Sequence, residues 1–441
     1  MPTYVWLWLP GSEQKATGRT QELSERHGRD TKRERDMQGD RQRELALWRQ
    51  AQYCRRADLR LPLAQNQFPT NPVSGAASGQ VARAGRMMVL VNPLSGRGQA
   101  MSLYAGPVQR LLTDAAVPHA LIVTEHQNHA RELVRSADLS ECSALVILSG
   151  DGLLFEVING LMEREDWEQA ILTPLAILPG GSGNALAASV HYYTQADPVW
   201  GVELLLSCGF LLCKGLVRPL DVLSLRLSSG LRLFSFLSIA WGFIADVDIE
   251  SERYRYMGAV RFMVGALIRL ASFRTYQGRL AFLPAPGDSP TLGDSSALYL
   301  PRPHPEEHGP PDDLLAPLGE PVPADWTVVE EQDFVLVLAT SHSHLAEDLV
   351  AAPSAGPADG HIHLLYVRAG VSRVALLKLF VAMEKGTHLA CECPHLVYRR
   401  VRALRLEPAT SPGVITVDGE QAEYGPLQAQ VHRGYARLIS G

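Results

Sequence analysis

Asp151 sits between Gly150 and Gly152 at the end of an apolar run, in ALVILSGDGLLFEVINGL (144–161), and Glu156 follows on an amphipathic pattern. An aspartate acting only as a helix N-cap needs neither glycine, whereas glycines on both sides leave room for a ligand beside the carboxylate. Phosphoryl transfer to an alcohol asks for that arrangement: a base within hydrogen-bond reach of the hydroxyl, and phosphates held by backbone N–H groups and Mg²⁺. Glu156 is then a partner for a hydroxyl or a metal-bound water, or else a solvated helix acid. No Gly-Lys-Ser/Thr sequence follows, so the phosphates must be held elsewhere.

Two further turns offer that hold. In NPLSGRG (92–98), Ser95, Gly96 and Gly98 leave backbone N–H groups free before a helix; an ordinary strand–helix turn would look the same. In LPGGSGNALA (178–187), three glycines around Ser182 permit close backbone approach, and Asn184 opens the next helix. The plainer reading is a helix entry capped by Ser182.

Farther on, AWGFIADVDIESERYRYMGAVRF (240–262) carries Asp246 and Asp248, which share one face if the segment is extended. A carboxylate beside a greasy pocket suits a substrate with an amine and a long tail; a turn acid at a strand end is the competing view. Arg255 and Arg261 could approach one anionic ligand or be two solvated helix arginines. VDGE (417–420) reads as a β-turn. His342 and His344, like His361 and His363, have the alternate spacing of strand residues, and no carboxylate or thiol stands at a spacing usable for metal. Cys391 and Cys393 form a lone Cys-x-Cys, which does not make a zinc site.

The elements that must position these residues are legible. RMMVLVNP (86–93), HALIVTE (119–125), SALVILSG (143–150) and PLAILPGG (174–181) read as strands, alternating with helical patterns. They predict a parallel sheet covered on both faces, the first part of an α/β domain over 86–216. The candidate loops, Asn92–Gly98, Thr124–Asn128, Ser149–Gly152 and Gly180–Gly183, all fall at carboxyl ends of strands, where open α/β sheets bind ligands. From about 217 the texture becomes a mostly antiparallel β-sandwich or barrel, with a hairpin at Ser228-Ser229-Gly230 and helices near 252–273 and 371–385. Residues 284–323 hold eleven of the 29 prolines and predict a surface insertion; Ser289-Pro290 within it could take a proline-directed phosphate.

The 441-residue chain is 46% hydrophobic with a formal net charge of −6, enough for two cores and no case for nucleic acid as a partner. Four of its six cysteines sit in apolar or helical contexts, which reads as reduced core thiols of a cytoplasmic protein. Residues 1–85 read as an extension, probable disorder by composition: 12–60 are dense in charge and 66–83 are linker-like. The apolar start lacks a basic leader and meets Pro10, unlike a signal peptide. The longest uncharged apolar run, Leu233 to Ala245, is about thirteen residues, too short to span a bilayer. Lipid contact would therefore be peripheral. The helical stretch SRVALLKLFVAMEKG (372–386) carries an apolar stripe, Leu376, Leu377, Phe380 and Val381, for the core or, as a minority reading, for membrane or calmodulin.

The order VLVNPLSGRGQA, TEHQNHARELV, LSGDGLLFEVINGLMER, LPGGSGNALAAS, LSIAWGFIADVDIESERYR and VDGE, from Arg86 onward, resembles the diacylglycerol-kinase-type lipid kinases, and among them the enzymes that act on sphingoid bases. The resemblance implies an α/β nucleotide domain followed by a β-sandwich lipid domain. It also implies transfer of the ATP γ-phosphoryl to the primary hydroxyl of sphingosine, with Mg²⁺. Asp151 would be the general base, and Ser149, Gly150, Asp151 and Gly152 would border the substrate, with Ser238 near the pocket and Asp248 on the lipid amine. ATP would meet Asn92, Pro93 and Leu94; Thr124, Glu125, His126, Gln127 and Asn128; Glu156; Gly181, Ser182 and Gly183; Arg255 and Arg261; and Asp418, Gly419 and Glu420.

The match has departures. NPLSGRG is less glycine- and lysine-rich than expected, Phe155 replaces an expected His before Glu156, and QAEYG (421–425) diverges after VDGE. No Pro-rich acidic tail follows, so no partner is implied through one. A diacylglycerol or ceramide kinase is the alternative within the same fold, and Asp248 argues against it, because a neutral lipid has no amine to pair. A silent nucleotide-binding scaffold is opposed by the intact Asp151. A dinucleotide oxidoreductase is opposed by the lack of Gly-x-Gly-x-x-Gly after the first strand.

Overall fold

The computed structural model describes residues 85–258, 260–288, 308–409 and 411–440, except the Arg255 side chain, together with the backbone of Gly79–Gln80. Most of the predicted extension, and Ser289-Pro290, therefore lie outside the described residues. Gly79 and Gln80 pair antiparallel with Val217 and Leu216, so the chain joins a sheet before Arg86, where regular structure was expected to begin.

Four short apolar runs form a parallel sheet: β1 (Arg86–Val91), β2 (His119–Val123), β3 (Cys142–Ser149) and β4 (Leu175–Pro179), in the order β2-β1-β3-β4. Leu145, Val146, Ile147 and Leu148 are all fully buried, as expected of a strand with both faces covered. The cover comes from α1 (100–114), α2 (His129–Ser136), α3 (Asp151–Met162), α4 (Ala185–Tyr192) and α5 (Val202–Lys214).

The second half is antiparallel: β5 (Leu216–Leu227), β6 (Arg232–Ser235), β7 (Ser238–Gly242), β8 (Tyr276–Pro284), β9 (Thr327–Thr340), β10 (Ile362–Arg368), β11 (Leu396–Pro408), β12 (Ile415–Val417), β13 (Glu420–Ala422) and β14 (Leu427–Ile439). β5 and β6 make the predicted hairpin. β9 and β11 are long and irregular, and each changes partners along its length, which carries them from one sheet of the sandwich to another. β14 is one long strand with an irregularity between His432 and Ala436. It pairs parallel to β4 at Leu438↔Leu175, and so stitches the sandwich to the α/β sheet.

Helices α6 (Phe243–Glu250) and α7 (Val260–Ala271) follow β7, and α8 (Arg373–Glu384) starts at Ser372, whose side chain accepts from Ala375 N. α6 corrects one expectation. The segment holding Asp246 and Asp248 is helical rather than extended, so residues two apart are about 200° apart and the two acids diverge.

The proline-rich insertion is also not simply surface. Asp312 is buried and bonded by Ser224, Arg226 and Arg232, while Arg405 donates to the carbonyls of Ala316, Pro317 and Glu320. Its C-terminal part is thereby pinned onto β5, β6 and β11 by charge rather than by β pairing. His342 and His363 are buried and bonded to Tyr193 and Tyr398, and Asp359 bonds His363 at 2.9 Å, a carboxylate contact that sequence spacing had not suggested.

Candidate active site

One cavity of about 750 Å³ runs from the carboxyl ends of β1, β3 and β4 to the helices of the sandwich. Its polar end is lined by the glycine turns and its far end by apolar side chains. Asn92, Pro93, Leu94, Thr124–Gln127, Ser149–Gly152, Glu156, Gly181–Gly183, Ser238, Asp248, Arg261 and Asp418–Glu420 all border it. Asn128 does not, but its N–H donates to Glu156. The Arg255 side chain lies outside the described residues.

Asp151 is the first residue of α3, not its cap. Its carboxylate accepts from Ala185 N (2.8 Å) and Leu186 N (3.1 Å), and so caps the neighbouring helix α4. Burial pushes its pKa up, against these N–H groups, which favour the charged form. The glycines around it have a definite use. A Cβ on Gly181 would collide with the backbone of Gly150, and one on Gly152 would collide with the Glu420 carboxylate. Ser95 Oγ, in the first turn, accepts from Gly150 N and from Ser149 Oγ, both at 3.1 Å, which ties the 92–98 turn to the 149–152 turn.

Glu156 is neither solvated nor free. It accepts from Asn128 N and Ala130 N at the start of α2, with its pKa raised by burial. Asp418 likewise spends its carboxylate inside the protein, on Ser235 Oγ and the N–H groups of Phe236, Leu237 and Ser238. Expected as a nucleotide contact, it borders the cavity with Gly419 and Glu420 while its carboxylate clamps the turn between β6 and β7.

Asp248 is different. Among the described residues no hydrogen bond ties its carboxylate. Burial, and then repulsion from Glu252, Glu420 and Asp151, push its pKa up to about 7 against the pull of Arg261. Arg261 is buried beside it, paired with Glu252 and stacked on Phe262, not a solvated helix arginine. Asp246 points the other way and is consumed by Arg269, Arg274 and Tyr276.

The apolar end was only partly foreseen. Phe243, Ile244 and Val247 of α6, Phe262, Met263 and Ala266 of α7, Leu345 and Leu349, and Leu377 and Phe380 of α8 form it. They come from helices and a short antiparallel strand pair (344–350) far apart in sequence, and periodicity marks them only as core. Of the predicted stripe on α8, Leu376 belongs to the core, while Leu377, Phe380 and Val381 reach the cavity.

A model of the diacylglycerol kinase catalytic domain matches residues 86–225, and one of the YegS C-terminal NAD kinase beta sandwich-like domain matches 237–440. Human sphingosine kinase 1 is 52% identical over 368 residues, covering 83% of this chain and 94% of that protein. The chain belongs to the sphingosine kinase family. Other members are human sphingosine kinase 2, 42% identical with 81% of this chain and 71% of that protein covered, and the Caenorhabditis elegans sphingosine kinase 1, at 30% with 81% of each covered. A putative diacylglycerol kinase from Bacillus anthracis str. Sterne has the same fold at 16% identity, with a TM-score of 0.54 over 82% of this chain and 99% of that one. In this sphingosine kinase family chain, as in that fold, an α/β domain precedes a β-sandwich.

Proposed function

We propose that the protein transfers the ATP γ-phosphoryl to the primary hydroxyl of sphingosine and related sphingoid bases, giving sphingosine 1-phosphate. One observation carries this reading: Asp151 and Asp248, whose carboxylate has no hydrogen bond among the described residues, line one cavity where backbone N–H turns give way to apolar side chains. ATP occupies the turns of 92–98, 124–128 and 181–183 with Arg261, and the lipid tail occupies the apolar end. Asp151 takes the hydroxyl proton as the oxygen attacks the γ-phosphorus and ADP leaves. Asp248 pairs the lipid ammonium, which supports a sphingoid base over the neutral head of diacylglycerol or ceramide.

Mg²⁺ would arrive on the phosphates, keeping several waters and needing only one or two carboxylates. Among the described residues no group of three His, Cys, Asp or Glu is ready to hold a metal, which fits a phosphate-borne ion rather than a protein cage. Glu420, over Gly152, and Asp151 are the acids that would meet it. The mutual repulsion of Asp151, Asp248, Glu252 and Glu420 is the field a cation relieves.

Among the described residues no helix is long and apolar enough to cross a membrane. Val260, Met263 and Leu267 of α7 and Val374, Leu377 and Val381 of α8 are exposed on the two helices that flank the cavity. They support peripheral docking on a membrane surface at the point where a lipid would enter. Calmodulin would have to compete for the same outer face of α8.

The test is radiolabelled ATP offered with sphingosine, dihydrosphingosine, ceramide and diacylglycerol. Labelling of the two amines alone is expected; equal labelling of diacylglycerol overturns the reading.

A further inference from the structure

Helix α3 holds three polar side chains in an otherwise apolar sequence, and each is tied to a different element. Asp151 caps α4, and Glu156 caps α2, both within the α/β domain. Asn159 crosses to the second domain. It is 2% exposed, its Nδ2 donates to Phe234 O (2.8 Å) and Phe155 O (2.9 Å), and its Oδ1 accepts from Phe234 N (2.9 Å). The amide thus exchanges two hydrogen bonds with one residue of β6, as a neighbouring strand would.

Among the described residues β6 has only β5 as a partner strand, so Asn159 satisfies a buried strand edge. The edge leads somewhere specific. One residue beyond Phe234 begins the turn that Asp418 clamps, and that turn delivers Ser238 and β7 to the cavity wall. Eight residues in the other direction, about 12 Å along the same helix, is Asp151. Phe155, between them, packs against the cores of both domains.

We infer that Asn159 is a positioning residue for phosphoryl transfer, fixing the helix that carries Asp151 against the strand that leads to the lipid wall. This rests on Asp151 being the base of the proposed reaction. Asn159 touches neither substrate; it sets the distance between the base and the wall against which the hydroxyl lies. Misplacement of a reacting group by about 1 Å costs on the order of a hundredfold in rate, so a lost brace is expected to act on turnover more than on binding.

The experiment compares wild type, Asn159→Ala and Asn159→Asp in the full chain, with kcat, the KM values for ATP and sphingosine, and Tm measured for each. For Asn159→Ala, kcat per folded molecule falls at least about tenfold while the KM for ATP stays within about twofold. Ionised, Asn159→Asp has no donor for Phe234 O; protonated, it can donate to that carbonyl and accept from Phe234 N. Its kcat relative to wild type therefore rises as pH falls, a profile that a loss of stability alone does not produce. Wild-type kcat per folded molecule in both variants, with only Tm lowered, overturns the inference. A wild-type chain that labels no sphingosine overturns the functional reading instead.

Discussion

Asp151, buried, and Asp248, half-buried, are two carboxylates on one cavity, and the protein treats them oppositely. Asp151 is fixed by two backbone N–H groups at the start of α4, so its orientation is set before any ligand arrives. Asp248, on α6, has Arg261 nearby but no hydrogen bond of its own among the described residues, and burial, then three other acids, push its pKa up to about 7. On the proposed roles, the group that abstracts a proton is held rigid and the group that recognises the ammonium is left for it to complete. That difference supports reading one as base and the other as recognition site, where the sequence offers two aspartates.

The contrast breaks most visibly at Asp151. Asp151→Asn removes the proposed base and is expected to lower phosphorylation by roughly 10²–10⁴-fold while ATP still binds, because the amide keeps one acceptor oxygen for the N–H groups at the start of α4. Retained turnover with labelled ATP would mean that the carboxylate is only a cap. Asp248→Asn should cost less, about 10–100-fold in kcat/KM for sphingosine, the worth of one charge-assisted contact, with the KM for ATP nearly unchanged. Equal losses for both substrates would remove the amine contact from the comparison.

Asp418 is a further acid on the cavity, itself buried, and sharpens the other two, because its carboxylate is spent on the turn 235–238. Asp418→Ala leaves three backbone N–H groups without their acceptor, each worth about 1–3 kcal/mol when buried unpaired, so thermal unfolding should fall by many degrees. Asp418→Asn, which keeps one acceptor oxygen, should lose less. If either variant proved as stable as wild type, the clamp would be incidental and a nucleotide role for Asp418 would return.

The α/β half was legible because its signals are local. Runs such as Ala144–Leu148 can only be buried strands, glycines mark the turns that follow, and parallel order puts every turn at one sheet edge. The reading failed where a side chain's partner is distant. Asp246 and Asp248 look alike in sequence, and only the helical turn of α6 sends one to Arg269 and Arg274 and the other to the cavity. VDGE revealed a turn but not that its aspartate faces inward and its glutamate outward. The burial of Asp312 under a proline-rich stretch depends on Arg226 and Arg232, some eighty residues earlier, and no window of the sequence contains both.

The smallest expected effect tests the unfinished state of Asp248 directly, without catalysis. In the unfolded chain this carboxyl titrates near its ordinary value, about 4, whereas in the ligand-free fold it keeps its proton to about 7. Its contribution to stability is therefore fully present below pH 4 and is lost as pH rises from about 4 through 7, because the folded protein must then carry a buried charge or hold a proton the unfolded chain has released. Asp248→Asn carries no such cost. Without lipid, its Tm should exceed that of wild type by a few degrees at pH 8, and the gain should shrink toward zero as pH falls toward 4. Added sphingosine should narrow the gap at pH 8, since the ammonium completes the wild-type site and finds no charge in the variant. Differential scanning fluorimetry at several pH values reads all three, and a gain independent of pH would show that Asp248 is as settled as Asp151.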